Sequence, residues 1–136
     1  MAYIKEDKNR LAELYGRMAN SLAAELQRGW THFCMGFFVD ASGSEEMLIY
    51  VSENEGRSWR DFMDDVFAAD DIMTGVFDCK EACQELYALC AKAGDRWSCF
   101  TLTVDCDGNF NAEFKYESFK ELNPVLKNMW MGEYLA

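Results

Sequence analysis

Proline is nearly absent from this chain. Pro124 is the only one in 136 residues, which argues against Pro-rich linkers and low-complexity tails. Histidine is equally scarce, so any scheme built on a histidine base would have to run through His32. Six Cys are present, but no Cys-x-x-Cys. The nine Gly are scattered as turn and helix-stop residues, and none forms a phosphate-cradling loop. No apolar run approaches the ~20 residues needed to span a bilayer. The N-terminal "MAYIKEDKNRLAELYGRM" is charged and helical in pattern, not basic and then apolar. These absences predict a soluble, cytoplasmic chain with no membrane partner.

Basic residues are also few. Lys plus Arg number 13 against 24 Asp plus Glu, for a net charge of −11. The excess is uneven. Residues 1–39 hold 4 acids and 5 bases, residues 40–85 hold 13 acids and 3 bases, and residues 86–136 hold 7 acids and 5 bases. The middle third therefore carries nearly all of it. Such a surface repels nucleic-acid phosphates and attracts basic partners. It also serves solubility alone, and both readings stand at this point.

What the chain has in quantity is core material. Half of its residues are hydrophobic and 15% are aromatic. A single domain over residues 1–136 is expected, because a chain of this size buries about two-thirds of its unfolded surface. Residues 5–27 read as an amphipathic helix with Leu11, Tyr15, Met18, Leu22 and Leu26 on one stripe and Gly29 as a stop. "WTHFCMGFFVD" alternates with both faces apolar, so it reads as a covered strand. "ASGS" is a turn, and "EEMLIYVSE" returns with Met47, Ile49 and Val51 on one face. Arg57 to Met63 is weakly strand-like. A long helix follows from about Asp71 to Ala93, capped by Asp70 or Asp71 and ended by Gly94. Its stripe is Ile72, Val76, Cys79, Cys83, Leu86, Cys90 and Ala93, so three cysteines are read as core. The predicted class is α+β. An antiparallel sheet built from two hairpins, possibly with a fifth strand, is joined by an N-terminal helix, a long central helix and a short C-terminal helix.

"DRWSCFTLTVDCDGNFNAEFKYE" is the second hairpin. With acids on both strands and Glu113-Phe114-Lys115 on the second, it is loosely suggestive of a metal-dependent nuclease. The register decides. A two-residue Asp107-Gly108 turn would set Leu102 opposite Glu113 and mix apolar with polar on one face. A three-residue loop, Cys106-Asp107-Gly108, pairs Val104 with Phe110, Leu102 with Ala112 and Phe100 with Phe114. All the apolar residues then share one face, which makes this the expected register. Glu113 falls opposite Thr101 on the polar face. Asp105 is four residues from Thr101, about 13 Å at ~3.3 Å per residue, too far to share a metal ion. Asp61, Asp64, Asp65, Asp70 and Asp71 lack the spacing of a calcium loop. No metal, cofactor or catalytic group is therefore expected.

The C-terminal third, roughly residues 95–135, resembles the YezG-like immunity (antitoxin) family. The resemblance is carried by Trp97, the Thr101-Leu102 strand core, the Asp107-Gly108-Asn109-Phe110 turn, Tyr116-Glu117, Pro124 and the Trp130-to-Leu135 ending. It implies a small cytosolic protein that binds and neutralises a secreted polymorphic toxin, often a nuclease carried on a type VII-secreted protein, without catalysis or cofactor. Trp97, Phe110 and Trp130 read as framework on physical grounds. The toxin-binding side is expected among the acids of the middle third: Glu45, Glu46, Glu53, Glu55, Asp61, Asp64, Asp65, Asp70 and Asp71. These would face a toxin with a basic surface. The competing classes are an acidic adaptor or structural subunit of a homo-oligomer, and a small thiol-dependent enzyme using one of the six Cys.

Overall fold

The computed structural model describes residues 8–26, 28–62 and 74–135. Residues 5–7 of the first expected helix, Met63, Ile72 and the cap candidates Asp70 and Asp71 lie outside them. The described residues fall into two compact units, one of residues 8–26 with 74–97 and one of 28–62 with 98–135.

The first unit is a pair of helices, α1 (Lys8–Ala23) and α2 (Thr74–Lys92). The buried seam of α1 is Leu11, Leu14, Met18 and Leu22. Leu14 stands where the sequence pattern put Tyr15, because a three-residue step from Leu11 to Leu14 and four-residue steps beyond it hold the stripe on one line of the helix. The helix also ends earlier than Gln27. Glu25 and Leu26 turn back to the carbonyls of Leu22 and Ala23, three residues before each. On α2, Val76, Cys79, Cys83, Leu86 and Cys90 are buried, as the stripe predicted; Ala82 joins them, whereas Ala93 lies past the helix end and is only half-buried. Gly94 closes this helix with φ +85°, and the Asp95 N–H donates to Cys90 O at 2.9 Å.

Close approach holds the helices together. A Cβ on Gly75 would collide with the carbonyl oxygen of Ser21 and the side chain of Glu25. The Gly75 N–H donates to Glu25 Oε1 at 3.1 Å, so Glu25 satisfies an early N–H of α2. Along the exposed seam Arg17 reaches Asp78 at 2.5 Å and Glu81 at 3.2 Å, and the Ser21 hydroxyl donates to Asp78 at 3.0 Å. The Arg17 guanidinium, with help from Ser21, holds the Asp78 carboxyl below its ordinary range. The Tyr87 and Trp97 rings meet edge to face at 5.1 Å.

The second unit is a five-stranded antiparallel sheet with one helix, α3 (Pro124–Tyr134). Its strands are β1 (His32–Val39), β2 (Glu45–Ser52), β3 (Arg60–Asp61), β4 (Cys99–Asp105) and β5 (Phe110–Lys115). The spatial order is β3-β2-β1-β4-β5, so β1 is central. Seven of its eight residues are buried, which is why both of its faces are apolar. The brief β3 lies inside the weakly strand-like stretch.

The second hairpin has the three-residue loop. Val104 pairs with Phe110, Leu102 with Ala112, Phe100 with Phe114, and Thr101 with Glu113. The Gly108 N–H donates to Asp105 O at 3.1 Å, the Asp105 N–H donates to Asn109 O at 2.9 Å, and Gly108 takes φ +91°. Sharing the apolar face does not make the edge strand core: Ala112 and Phe114 are half-buried. Phe110 opens an edge strand beside the turn and is 51% exposed, so it is not core.

The polar face of the hairpin is not simply solvated either. Asn123 caps α3 by accepting the Leu126 N–H at 3.0 Å, and Pro124 takes the first position, where no N–H is needed. The helix lays Trp130 onto that face. Trp130 is 5% exposed, and its Nε1–H donates to Thr101 Oγ1 at 2.9 Å. Phe38, Tyr50 and Tyr134 surround its ring at centroid distances of 5.8, 6.0 and 5.6 Å. Beneath it lies Gly36 of β1. A Cβ there would come within 2.8 Å of the indole and 2.9 Å of the Phe38 ring.

Chemical denaturation tests these assignments. Leu102→Ala is expected to cost about 2–5 kcal/mol as a fully buried truncation. Gly36→Ala is expected to cost about 1–3 kcal/mol, because both rings must move aside. Glu113→Ala, an exposed change, is expected to stay within about 0.5 kcal/mol. A Glu113→Ala cost above that of Leu102→Ala would contradict the register.

Candidate functional site

The nuclease-like hairpin is framework. The carboxylate of Asp105 accepts the N–H groups of Asp107 at 2.9 Å and Asn109 at 3.0 Å, and the Asn109 side-chain amide at 3.1 Å. These bonds, the side-chain one foremost, hold its pKa below the ordinary value. It is the keystone of its own turn. Glu113 sits four strand positions away, opposite Thr101. Neighbouring Lys115 is tied to Glu133 of α3 at 2.6 Å and lies over the Tyr134 ring. His32 is half-buried, and its Nδ1 is 3.2 Å from Thr31 Oγ1. Among the described residues no group of His, Cys, Asp and Glu is placed to hold a metal ion, and no helix is long and apolar enough to cross a membrane.

The six cysteines form no disulfide, and most of them are sealed. Cys34, Cys79, Cys83, Cys90 and Cys99 are buried, and Cys106 is exposed in the hairpin loop. Burial pushes Cys34 up to about 12 and Cys99 up to about 11, against smaller opposing pulls from the Thr103 and Thr101 hydroxyls. Burial raises Cys90 too. A thiol held above its ordinary pKa stays protonated at neutral pH and is a poor nucleophile.

The expected acidic side divides. Glu45 and Glu46 open β2, whereas Glu53 and Glu55 follow its far end, about 25 Å away at ~3.3 Å per residue. Glu46 pairs with Lys127 of α3 at 2.6 Å, and Glu53 pairs with Arg60. Glu55 is exposed, takes φ +61°, and donates its N–H to Thr31 Oγ1 at 2.8 Å. Asp61 is half-buried on β3, opposite Tyr50. Asp64, Asp65, Asp70 and Asp71 lie outside the described residues.

The Glu45 end holds more than the sequence pattern grouped there. The β1–β2 turn is knotted by Asp40, whose carboxylate accepts the Ser42 hydroxyl at 2.6 Å and the N–H groups of Ser42 and Ser44 at 2.9 and 3.0 Å. These bonds, led by the Ser42 hydroxyl, lower its pKa. The chain leaving β5 crosses back to this turn, and the Ala41 N–H donates to Phe119 O at 2.8 Å. That crossing sets Glu121 beside Glu45 and Glu46, with Glu117 further along under α3. It creates two adjoining grooves of about 190 Å³ each, which share Phe38, Phe119 and Leu122. One runs under α3 past Leu126, Met129 and Trp130; the other is lined by Asp40, Glu45, Glu46 and Glu121. Glu117, Glu121 and Met129 escaped the sequence reading. The acids sit outside the charge-rich third, and the only signal for the helix surface was the i, i+4 spacing of Val125 and Met129.

A native thiol titration is expected to find one fast cysteine, abolished by Cys106→Ser, with the other five reacting only as the protein unfolds. A second fast thiol in the folded Cys106→Ser variant would overturn the assignment of the buried five.

Compared with known proteins, the chain matches the family model described as Immunity protein YezG-like over residues 11–136. No curated protein matches it.

Proposed function

Because the chain belongs to the YezG-like immunity protein family, we propose that it neutralises a cognate secreted polymorphic toxin by binding it through an acidic surface, without catalysis and without a cofactor. Membership gives the immunity role and the expectation of a toxin partner. The proposal adds that the toxin is a nuclease, delivered by a type VII-type system, and that it is met in the cytoplasm. The observation that carries the reading is the family match along nearly the whole chain. The net charge of −11 supports the finer part. A nuclease needs a basic surface to hold phosphates, and an acidic inhibitor is steered onto that surface from a distance. An occluded active site then needs no chemistry from the inhibitor.

A second reading has one observation in its favour. Val125 and Met129 are each 67% exposed on one side of α3, and an apolar helix stripe suits a second copy of the chain in an acidic homo-oligomer.

Co-expression decides between them. Secreted-toxin domains of the same cell are produced one at a time in a sensitive host with and without this chain. The immunity reading expects rescue from one of them and a stable purified pair. It also expects the association rate to fall steeply as salt shortens the Debye length from ~10 Å toward ~3 Å. Rescue of none, together with a stable self-associated species in sedimentation, would move the assignment to the adaptor. A toxin complex that forms at a salt-independent rate would remove the electrostatic part alone.

A further inference from the structure

The geometry points to the double groove at the Glu45 end of the sheet unit as the toxin's docking site. Its occupant is a toxin segment that presents a basic side chain next to an apolar one. This rests on the immunity reading above and adds the surface and the chemistry that it recognises.

The two halves differ in character but form one feature. The half beneath α3 is the more apolar one, lined by Leu126, Met129 and Trp130 alongside Lys115, Glu117 and Glu133. Met129 is 67% exposed. The other half has four acids among its lining residues and no base. Since both halves share Phe38, Phe119 and Leu122, a single extended segment of a few residues reaches across both.

The charges at the groove fall into committed and uncommitted groups. Asp40 is engaged by its own turn, Glu46 by Lys127, and Glu133 by Lys115. Lys115 is the one base lining the apolar half, and that bond occupies it. Glu117 and Glu121 are exposed and form no ion pair among the described residues. Lys120 lies between them in sequence but lines neither half. The groove therefore presents unneutralised carboxylates beside bare apolar surface. An acidic segment would be repelled. A purely apolar one would desolvate those carboxylates with no compensation. A second copy of this chain docking about a two-fold axis through the groove would set its carboxylates against the same carboxylates of the other copy, a repulsive like-charge contact. A basic-apolar segment satisfies both halves at once, with the apolar side chain as the anchor and the cation supplying steering.

The test uses the toxin domain that the wild-type chain neutralises, inactivated and purified, with association and dissociation rates measured separately. Met129→Asp is expected to raise the dissociation rate at least about tenfold, since it places a charge where the anchor sits. Glu117→Lys with Glu121→Lys is expected to slow association at least about tenfold at low ionic strength and to flatten its salt dependence. Glu53→Lys with Glu55→Lys, at the far end of β2, serves as the control and is expected to change either rate by no more than about twofold. All these positions are exposed, and circular dichroism confirms that each variant is folded. Wild-type rates in both groove variants would overturn the groove while leaving the immunity reading intact, as would a larger loss in the Glu53/Glu55 variant. So would a wild-type dimer that Met129→Asp dissolves without changing toxin binding. A wild-type chain that neutralises and binds no toxin would overturn both readings.

Discussion

The seat of Trp130 on Gly36 is the constraint from which the architecture of the sheet unit follows. A central strand is covered on both faces, and β1 meets this demand on one face by leaving out a side chain. With no Cβ at Gly36, the indole lies against the backbone and its N–H reaches the Thr101 hydroxyl at 2.9 Å. That bond satisfies a buried donor that would otherwise cost about 1–3 kcal/mol. It also gives Thr101, 2% exposed, a role that its polar side chain alone would not suggest. Once Trp130 is fixed, α3 has its position. The segment from Tyr116 to Asn123 must then run from the end of β5 to Asn123 at the helix start, which takes it past the β1–β2 turn. The grooves described above are a consequence of that path.

The acidity of the chain acquires meaning only through this geometry. Many of the carboxylates are tied internally: Asp40 and Asp105 each knot a turn, Asp78 holds Arg17, and Glu46, Glu53 and Glu133 each hold a base. Exposed pairs of this kind contribute little stability, but they remove carboxylates from the set that can meet a partner. What is left at the Glu45 end is small, local and adjacent to apolar surface. An interface with a wet charged rim around an apolar anchor has this composition.

Much of the fold was legible in the residues because burial is periodic. The two-residue alternation of Phe100, Leu102 and Val104 against Ala112 and Phe114 specified the hairpin register, since a slip by one would have turned the residues of one strand onto the opposite face. The stripe of Val76, Cys79, Cys83, Leu86 and Cys90 specified the buried side of α2 and explained three thiols without chemistry. Reading failed where periodicity carries no information. Phe110 fits the apolar face by register, yet it is exposed because an edge strand near its turn has nothing beyond it. Leu14 replaced Tyr15 because both satisfy a helical step from Leu11, and only the packed seam chooses.

The sequence by itself determined the α+β class, the pairing of the second hairpin, the burial of the three α2 thiols and the family, because each is written in local period or in motif. It also determined the net charge of −11, but not where that charge acts. Tertiary structure alone decided that Glu121 joins Glu45 and Glu46 at one groove and that Glu117 lines the adjoining one. It alone set Gly36 beneath a tryptophan 94 positions further along the chain. The reason is physical: charge proximity and ring-on-backbone packing depend on distances through space between residues far apart in sequence, and no pattern within a window of the chain encodes them.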